Sequence, residues 1–296
     1  MTGMISIKLM TDVAADILRE TAEKYNIDVM SFPVTIGDQG YDSVDQFTNQ
    51  EFYQILLTEP KIPTHAQITT VRFLDKFEEI YRQGFEHLIY VSINRLGSST
   101  HDNAVMASKE FYEDHPEAKD KFHIHIIDSK TYSYGYGYSV VEAAKKIERG
   151  FSAAEVVAYL KDWADSVEVY FAPYSLEFVK KSGRVSCAAA FVGELLGLKP
   201  IIAFIDGQVS IIEKVRGEKA IIPALLKHAK KNMIPQTPYC IIKGMLEDEA
   251  VKMQKEAEKA LGYPAAETME AGPVIVINAG PKIVAIVVKG KNKHIS

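Results

Sequence analysis

The sequence has little cysteine, no excess of positive charge and no long apolar run, and each shortage excludes a class of protein. Cys187 and Cys240 are the two cysteines, and no CxxC pair exists. A disulfide framework is therefore not expected, and a reducing compartment fits. The net charge is −5 and the pI about 5.9. No basic stripe is present, which argues against a protein that grips a nucleic-acid backbone. No stretch reaches the roughly 18 consecutive apolar residues of a membrane span. Residues 1–8 lack the charged start and long apolar run of a secretory signal. A cytoplasmic location without membrane insertion is the expectation. Catalytic signatures are missing as well: no GxxxxGK followed by Ser or Thr, no HExxH and no GxSxG. Gly135-Tyr-Gly137 follows a strand-like run, but Val140 stands where a dinucleotide-binding fingerprint needs its third glycine.

What is present is ample apolar material, 47% of 296 residues, enough for two hydrophobic cores. Residues 5–10, 28–36, 87–93 and 122–128 read as strands. Residues 14–25, 71–82 and 100–112 read as helices, and another helix ends at Glu148 before Gly150. Thr48 with Glu51, and Ser152 with Glu155, have the spacing of capping boxes and open two further helices. Strands alternating with helices imply βαβ units and a mostly parallel sheet. Binding loops then lie at the carboxyl ends of the strands, at residues 11–12, 94–100 and 128–138. After about residue 166 the texture changes. Strands are expected at 167–173, 199–205, 208–213 and 239–243, with β-type runs at 274–278 and 283–288. Helices are expected at 218–231 and 247–261, and an Ala-rich helical stretch lies between Gly183 and Gly193. Asp206-Gly207 between two apolar runs signals a hairpin. The expected fold class is α/β: a mostly parallel domain over residues 1–166, then a smaller mixed-sheet α/β domain over 167–296. No long linker separates them, so a ligand site at their interface is expected.

Three features bear chemistry with more than one reading. His123 and His125 share a strand face; they suit a metal pair, or a polar strand end, which the absence of a third ligand nearby favours. Tyr132, Tyr134, Tyr136 and Tyr138 suit ligand stacking or plain packing. Asn94-Arg-Leu-Gly-Ser-Ser-Thr100 follows a strand and opens a helix. Its free backbone N–H groups, the hydroxyls of Ser98, Ser99 and Thr100, and the charge of Arg95 suit an anion. The same residues also serve as a helix cap with no ligand.

Taken in order, the segments resemble the DegV family across nearly the whole chain. Thr11-Asp-Val-Ala-Ala-Asp16 is similar to the family's T-D-S-x-A-D, and Ser92–Thr100 to its S-x-S-S-x-L-S-G-T loop. Ile127-Asp-Ser129 with Gly135 and Gly137 resembles I-D-S…G-x-G. Leu176–Arg184, Lys199-Pro200 and Lys214-Val-Arg-Gly217 resemble L-x-x-L-x-x-G-G-R, K-P-I and V-R-G. Gly272-Pro-Val-Ile275 with Gly280-Pro281 resembles G-P-V-I-G-x-H-x-G-P.

The resemblance implies a long-chain fatty acid whose tail lies in a buried tunnel and whose carboxylate sits at the domain interface. It implies no other cofactor. It also implies a non-catalytic protein that presents the acid to a fatty acid kinase, the kinase supplying the ATP chemistry. By position, the head-group residues are His65, Asn94, Arg95, Ser98, Ser99, Thr100 and Asn278, and Arg184 and Arg216 are candidates for partner docking. Three head-group positions depart from the family pattern. His65 and Ala66 replace the Thr-Ser of T-S-Q-P, Asn94 and Arg95 replace paired serines, and Asn278 replaces a histidine. An enzyme acting on an anionic substrate through His65 and Arg95 is the competing reading, and a lipid sensor with another partner is a third.

Overall fold

A computed structural model describes residues 6–183 and 197–291. Its first half is built on four parallel strands, β1 (Ile7–Asp12), β2 (Ile27–Met30), β6 (His87–Ser92) and β7 (His123–Asp128), in the order β2-β1-β6-β7. The central strands β1 and β6 are buried along almost their whole length, as expected when helices cover both faces of a parallel sheet. Helices α3 (Thr70–Arg82) and α4 (Thr100–Asp114) pack on each other, and so do α5 (Tyr134–Glu148) and α6 (Ala153–Ser166). Both capping boxes form, at Thr48 for α2 (Asn49–Thr58) and at Ser152 for α6.

From Val167 onward the strands join a different sheet of six. Its order is β10 (Gln208–Arg216), β9 (Leu198–Ile205), β8 (Val167–Pro173), β13 (Ile283–Lys289), β11 (Cys240–Lys243), β12 (Glu267–Glu270). All its pairings are antiparallel except β11 with β12. This sheet has more strands than the parallel one. Asp206 and Gly207 turn the β9–β10 hairpin with φ of 51° and 76°, the two positive values a tight twisted hairpin requires. Helices α8 (Ile221–Asn232) and α9 (Glu247–Leu261) pack on each other and bury one face of this sheet in a core of its own.

Helix α5 lies between the sheets and touches β1, β8 and β11. That position accounts for its composition. A Cβ at Gly137 would stand 2.1 Å from the Ala15 carbonyl oxygen, and one at Gly135 would stand 3.0 Å from Val169. Glycine lets the backbones approach, and Tyr134, Tyr136 and Tyr138 are buried and fill the space beside them.

Three sequence expectations are corrected. Residues 274–278, read as a strand from their Val/Ile alternation, form helix α10 (Pro273–Ala279). Pro273 at its first turn has no N–H to lose, and Gly280 at φ 84° ends it. The expected 28–36 strand breaks around Pro33. Its second part, β3 (Val34–Ile36), pairs instead with β4 (Gln39–Tyr41) and β5 (Thr64–His65) in a small separate sheet. The expected 14–25 helix is interrupted at Asp16, whose φ of 53° is incompatible with a helix, so α1 covers Arg19–Lys24. The Ala-rich stretch between Gly183 and Gly193 lies largely outside the described residues.

Candidate functional site

The three loops expected to carry function meet at the carboxyl ends of the parallel strands, and Asp12 ties them. Its carboxylate accepts from Tyr136 Oη at 2.6 Å, Tyr90 Oη at 3.0 Å, Ile93 N at 2.9 Å and Ala14 N at 3.2 Å. Burial pushes this carboxyl up to about 6, and the hydrogen bonds work against that rise. Asn94 N donates to Thr131 O at 3.1 Å and Arg95 N to Asp128 Oδ1 at 3.1 Å, so the 94–100 loop is stitched to the 128–138 loop.

Above these loops a cavity lies between the two sheets, with about 780 Å³ of empty space, its mouth included. The mixed sheet supplies Val169, Phe171, Phe204, Ile242, Ile283 and Ala285. Helix α10 adds Val274, Ile275, Asn278 and Ala279, and the first half adds His65, Ile93, Gly97, Ser98, Tyr132 and Ser133. Its polar side chains are therefore few, and among the described residues that line it there is no Lys or Arg.

His65 reaches the cavity because β5 pairs with β3, His65 opposite Val34, and Phe32 packs edge-on against its ring at 5.7 Å. Asn278 Nδ2 lies 3.0 Å from His65 Nε2 and donates to Val274 O at 2.8 Å. With the amide nitrogen as donor, Nε2 accepts. Ser98 Oγ donates to Thr100 Oγ1 at 2.9 Å, and buried Thr100 accepts from Ile68 N at 3.3 Å. Asn94 is buried and donates to Tyr132 Oη at 3.1 Å and to Gly207 O at 2.8 Å, linking the first half to the β9–β10 hairpin.

The seven candidate head-group residues thus separate. His65, Ser98 and Asn278 line the cavity, while Thr100 and Asn94 stand behind it as supports. Ser99 is exposed at the N-cap of α4. Arg95 is 52% exposed, pairs with Asp102 at 3.3 Å and is not among the lining residues. Arg216 is exposed at the end of β10, and Arg184 lies outside the described residues. His123 and His125 are joined by His87, whose Nδ1 lies 3.3 Å from His125 Nε2. Among the described residues no group of three or more His, Cys, Asp or Glu side chains is arranged to hold a metal ion. No helix among them is long and apolar enough to cross a membrane.

Sequence reasoning missed one pair, Asp16 and Ser133. Asp16 Oδ2 accepts a hydrogen bond from Ser133 Oγ, and Ser133 lines the cavity. The two are far apart in sequence, so no local pattern signals their contact.

Fold and cavity define an α/β protein with an apolar chamber between its two larger sheets. The chain belongs to the DegV family: the family profile described as "Uncharacterised protein, DegV family" matches residues 6–291. A DegV domain-containing protein of Clostridium perfringens is 30% identical over 288 residues, 95% of this chain and 98% of its own. Among solved structures, a DegV family protein of Thermus thermophilus described for its fatty acid binding matches with a TM-score of 0.82 at 25% identity. That match covers 97% of this chain and 100% of the other. A stearic-acid-binding protein of Eubacterium ventriosum matches with a TM-score of 0.84 at 24% identity, over 96% and 98% of the two chains.

Proposed function

We propose that this protein binds one long-chain fatty acid, with its tail in the cavity between the sheets and its carboxylate at His65, Ser98 and Asn278. The observation that carries the reading is the cavity wall, apolar side chains from both sheets with a few polar side chains among them. Each buried CH₂ contributes about 0.8 kcal/mol, so a sixteen-carbon tail gains on the order of 10 kcal/mol before ordering costs. Such a tail needs few polar contacts, and those present fix its direction. The fatty acid binding for which the Thermus relative is described supports the same ligand class here. Asn94 and Thr100 brace Tyr132 and Ser98, while Arg95, turned toward Asp102, has no part in the contact. The enzyme reading required His65 and Arg95 to act together, and their separate placement favours a carrier.

The carrier presents its lipid to a fatty acid kinase that brings the ATP chemistry, with Arg184 and Arg216 gripping an acidic surface or the nascent acyl phosphate. Mass spectrometry of lipid extracted from protein purified from a bacterial host tests the first part. The expected result is about one C14–C18 acid per chain, whereas protein free of lipid that takes up no added palmitate or oleate refutes it. Acyl-phosphate formation with a fatty acid kinase tests the second part. A loaded carrier that supports no turnover above the kinase alone refutes presentation.

A further inference from the structure

Asp16 joins two compartments. It lines an open polar groove together with Leu18, Asn49, Glu270 and Gly272. Its Oδ1 faces Gly272 there, with no well-formed hydrogen bond among the described residues. Its Oδ2 meets Ser133 Oγ in a hydrogen bond, and Ser133 forms part of the apolar cavity wall. The two residues are only 9% and 4% exposed. Both hold positive φ, 53° and 56°. Ser133, with ψ −149°, occupies backbone space that is essentially glycine's. Strain of this kind persists only where the surroundings over-determine it. Here the close seating of Gly137 on Ala15 and the Asp16 hydrogen bond hold Ser133 at the wall.

We propose that Asp16 and Ser133 form a relay that selects an anionic head group: neutral Asp16 donates its O–H to Ser133 Oγ, and Ser133 turns its own O–H to the ligand's carboxylate. The relay rests on the reading of the cavity as a fatty acid site. A serine hydroxyl has a single proton to donate. When Asp16 is ionised, that proton goes to Asp16, and the lone pairs of Ser133 face the ligand. The neutral acid reverses the bond and frees the proton for the ligand.

The surroundings favour the neutral form. Burial pushes the Asp16 carboxyl up to about 8 against the Ser133 hydrogen bond and the nearby Gly272 N–H, which pull it down, and the charge of Asp12 on β1 adds to the rise. The Tyr53 hydroxyl on α2 and that of Tyr136 on α5 also feel Asp16. The charged groups around the groove are Arg19, Glu23, Asp28, Asp45, Glu51 and Glu270. Arg19, the one cation among them, is paired with Glu23 at 2.9 Å. The groove gives Asp16 a route for proton exchange on the side away from the lipid.

The test compares binding of palmitic acid and of hexadecanol at pH 7 and pH 9, in the wild type, Asp16→Asn and Ser133→Ala. If the carboxylate requires the neutral acid, wild-type affinity for palmitic acid falls about tenfold over this interval. Hexadecanol, which carries no charge, keeps the same affinity at both pH values. In Asp16→Asn the ratio of the palmitic acid affinities at the two pH values collapses to about one, because the amide cannot ionise. Ser133→Ala weakens palmitic acid roughly tenfold or more at pH 7 and also loses the pH step. A wild-type affinity for palmitic acid that is unchanged from pH 7 to pH 9, or a step that survives in Asp16→Asn, overturns the relay. Failure of the wild type to bind either lipid at either pH overturns the fatty acid reading itself, and the relay with it.

Discussion

Replacing Asp16 with Asn should stabilise the protein increasingly as the pH rises from about 4 to about 8. An unfolded chain releases the Asp16 proton near the ordinary value of 3.8, whereas the folded chain keeps it until about 8. Between those values the folded state binds the extra proton, so stability falls as the pH increases. Each unit is worth about 1.4 kcal/mol, and the full interval sets a ceiling of about 6 kcal/mol. Asp12, raised to about 6 by burial, titrates in the same cluster and contributes in the same direction. The effect of Asp16 alone is therefore read from the difference between wild type and variant. Below pH 4 the carboxyl is protonated in both states, and above about 8 it is ionised in both. The difference should be flat outside the interval and should grow within it by a few kcal/mol. Urea unfolding at pH 4.5, 6, 7.5 and 9 gives the midpoints, and unchanged slopes show that the unfolded state is the same. A difference that is constant across the four pH values, or one that shrinks as pH rises, refutes the assignment of Asp16 as a buried neutral acid.

Other substitutions probe the cavity and its surroundings. Arg95→Ala should leave fatty acid affinity within about 0.5 kcal/mol, because the side chain is exposed and paired with Asp102. His65→Ala should weaken it by about 1–3 kcal/mol, and titration with a fluorescent fatty acid distinguishes the two. If the order is reversed, the head-group assignment is wrong. Ala285→Trp places a large ring in the chamber between β13 and α10 and should abolish retained lipid in an extraction assay. Retention at wild-type stoichiometry would put the tail elsewhere. Arg216→Ala should leave retained lipid and Tm nearly intact while lowering acyl-phosphate formation with a kinase, and unaltered turnover removes it from the docking surface.

The features legible in the sequence are those set by local chemistry. Apolar runs such as residues 88–91 betray a strand buried on both faces. Thr48 with Glu51, and Asp206 with Gly207, specify a helix start and a hairpin through their own hydrogen bonds and φ angles. Helix α10 was hidden because Val274–Asn278 alternates like a strand, while the decisive signals, Pro273 and Gly280, stand at its ends. Tyr134, Tyr136 and Tyr138 suit ligand stacking or packing by sequence alone, and their burial follows from α5 lying between two sheets, where a helix is buried almost all round. Motif position named seven head-group candidates, of which His65, Ser98 and Asn278 line the cavity, but it gave no direction for Arg95. A side chain beside a binding loop can turn toward the ligand or toward a neighbouring carboxylate, and Asp102 on α4 decides that for Arg95. The Asp16–Ser133 contact depends on how α5 packs against the turn after β1, and sequence spacing carries no trace of it.

The most direct test of a lipid chamber between the sheets is a crystal structure of the protein with palmitic acid. One acyl chain should run past Val169, Phe171, Phe204 and Ala285, with its carboxylate within hydrogen-bond reach of His65, Ser98 or Asn278 and of Ser133. A tail lying in the polar groove beside Leu18, or a carboxylate held by Arg95 on the outer surface, would contradict it.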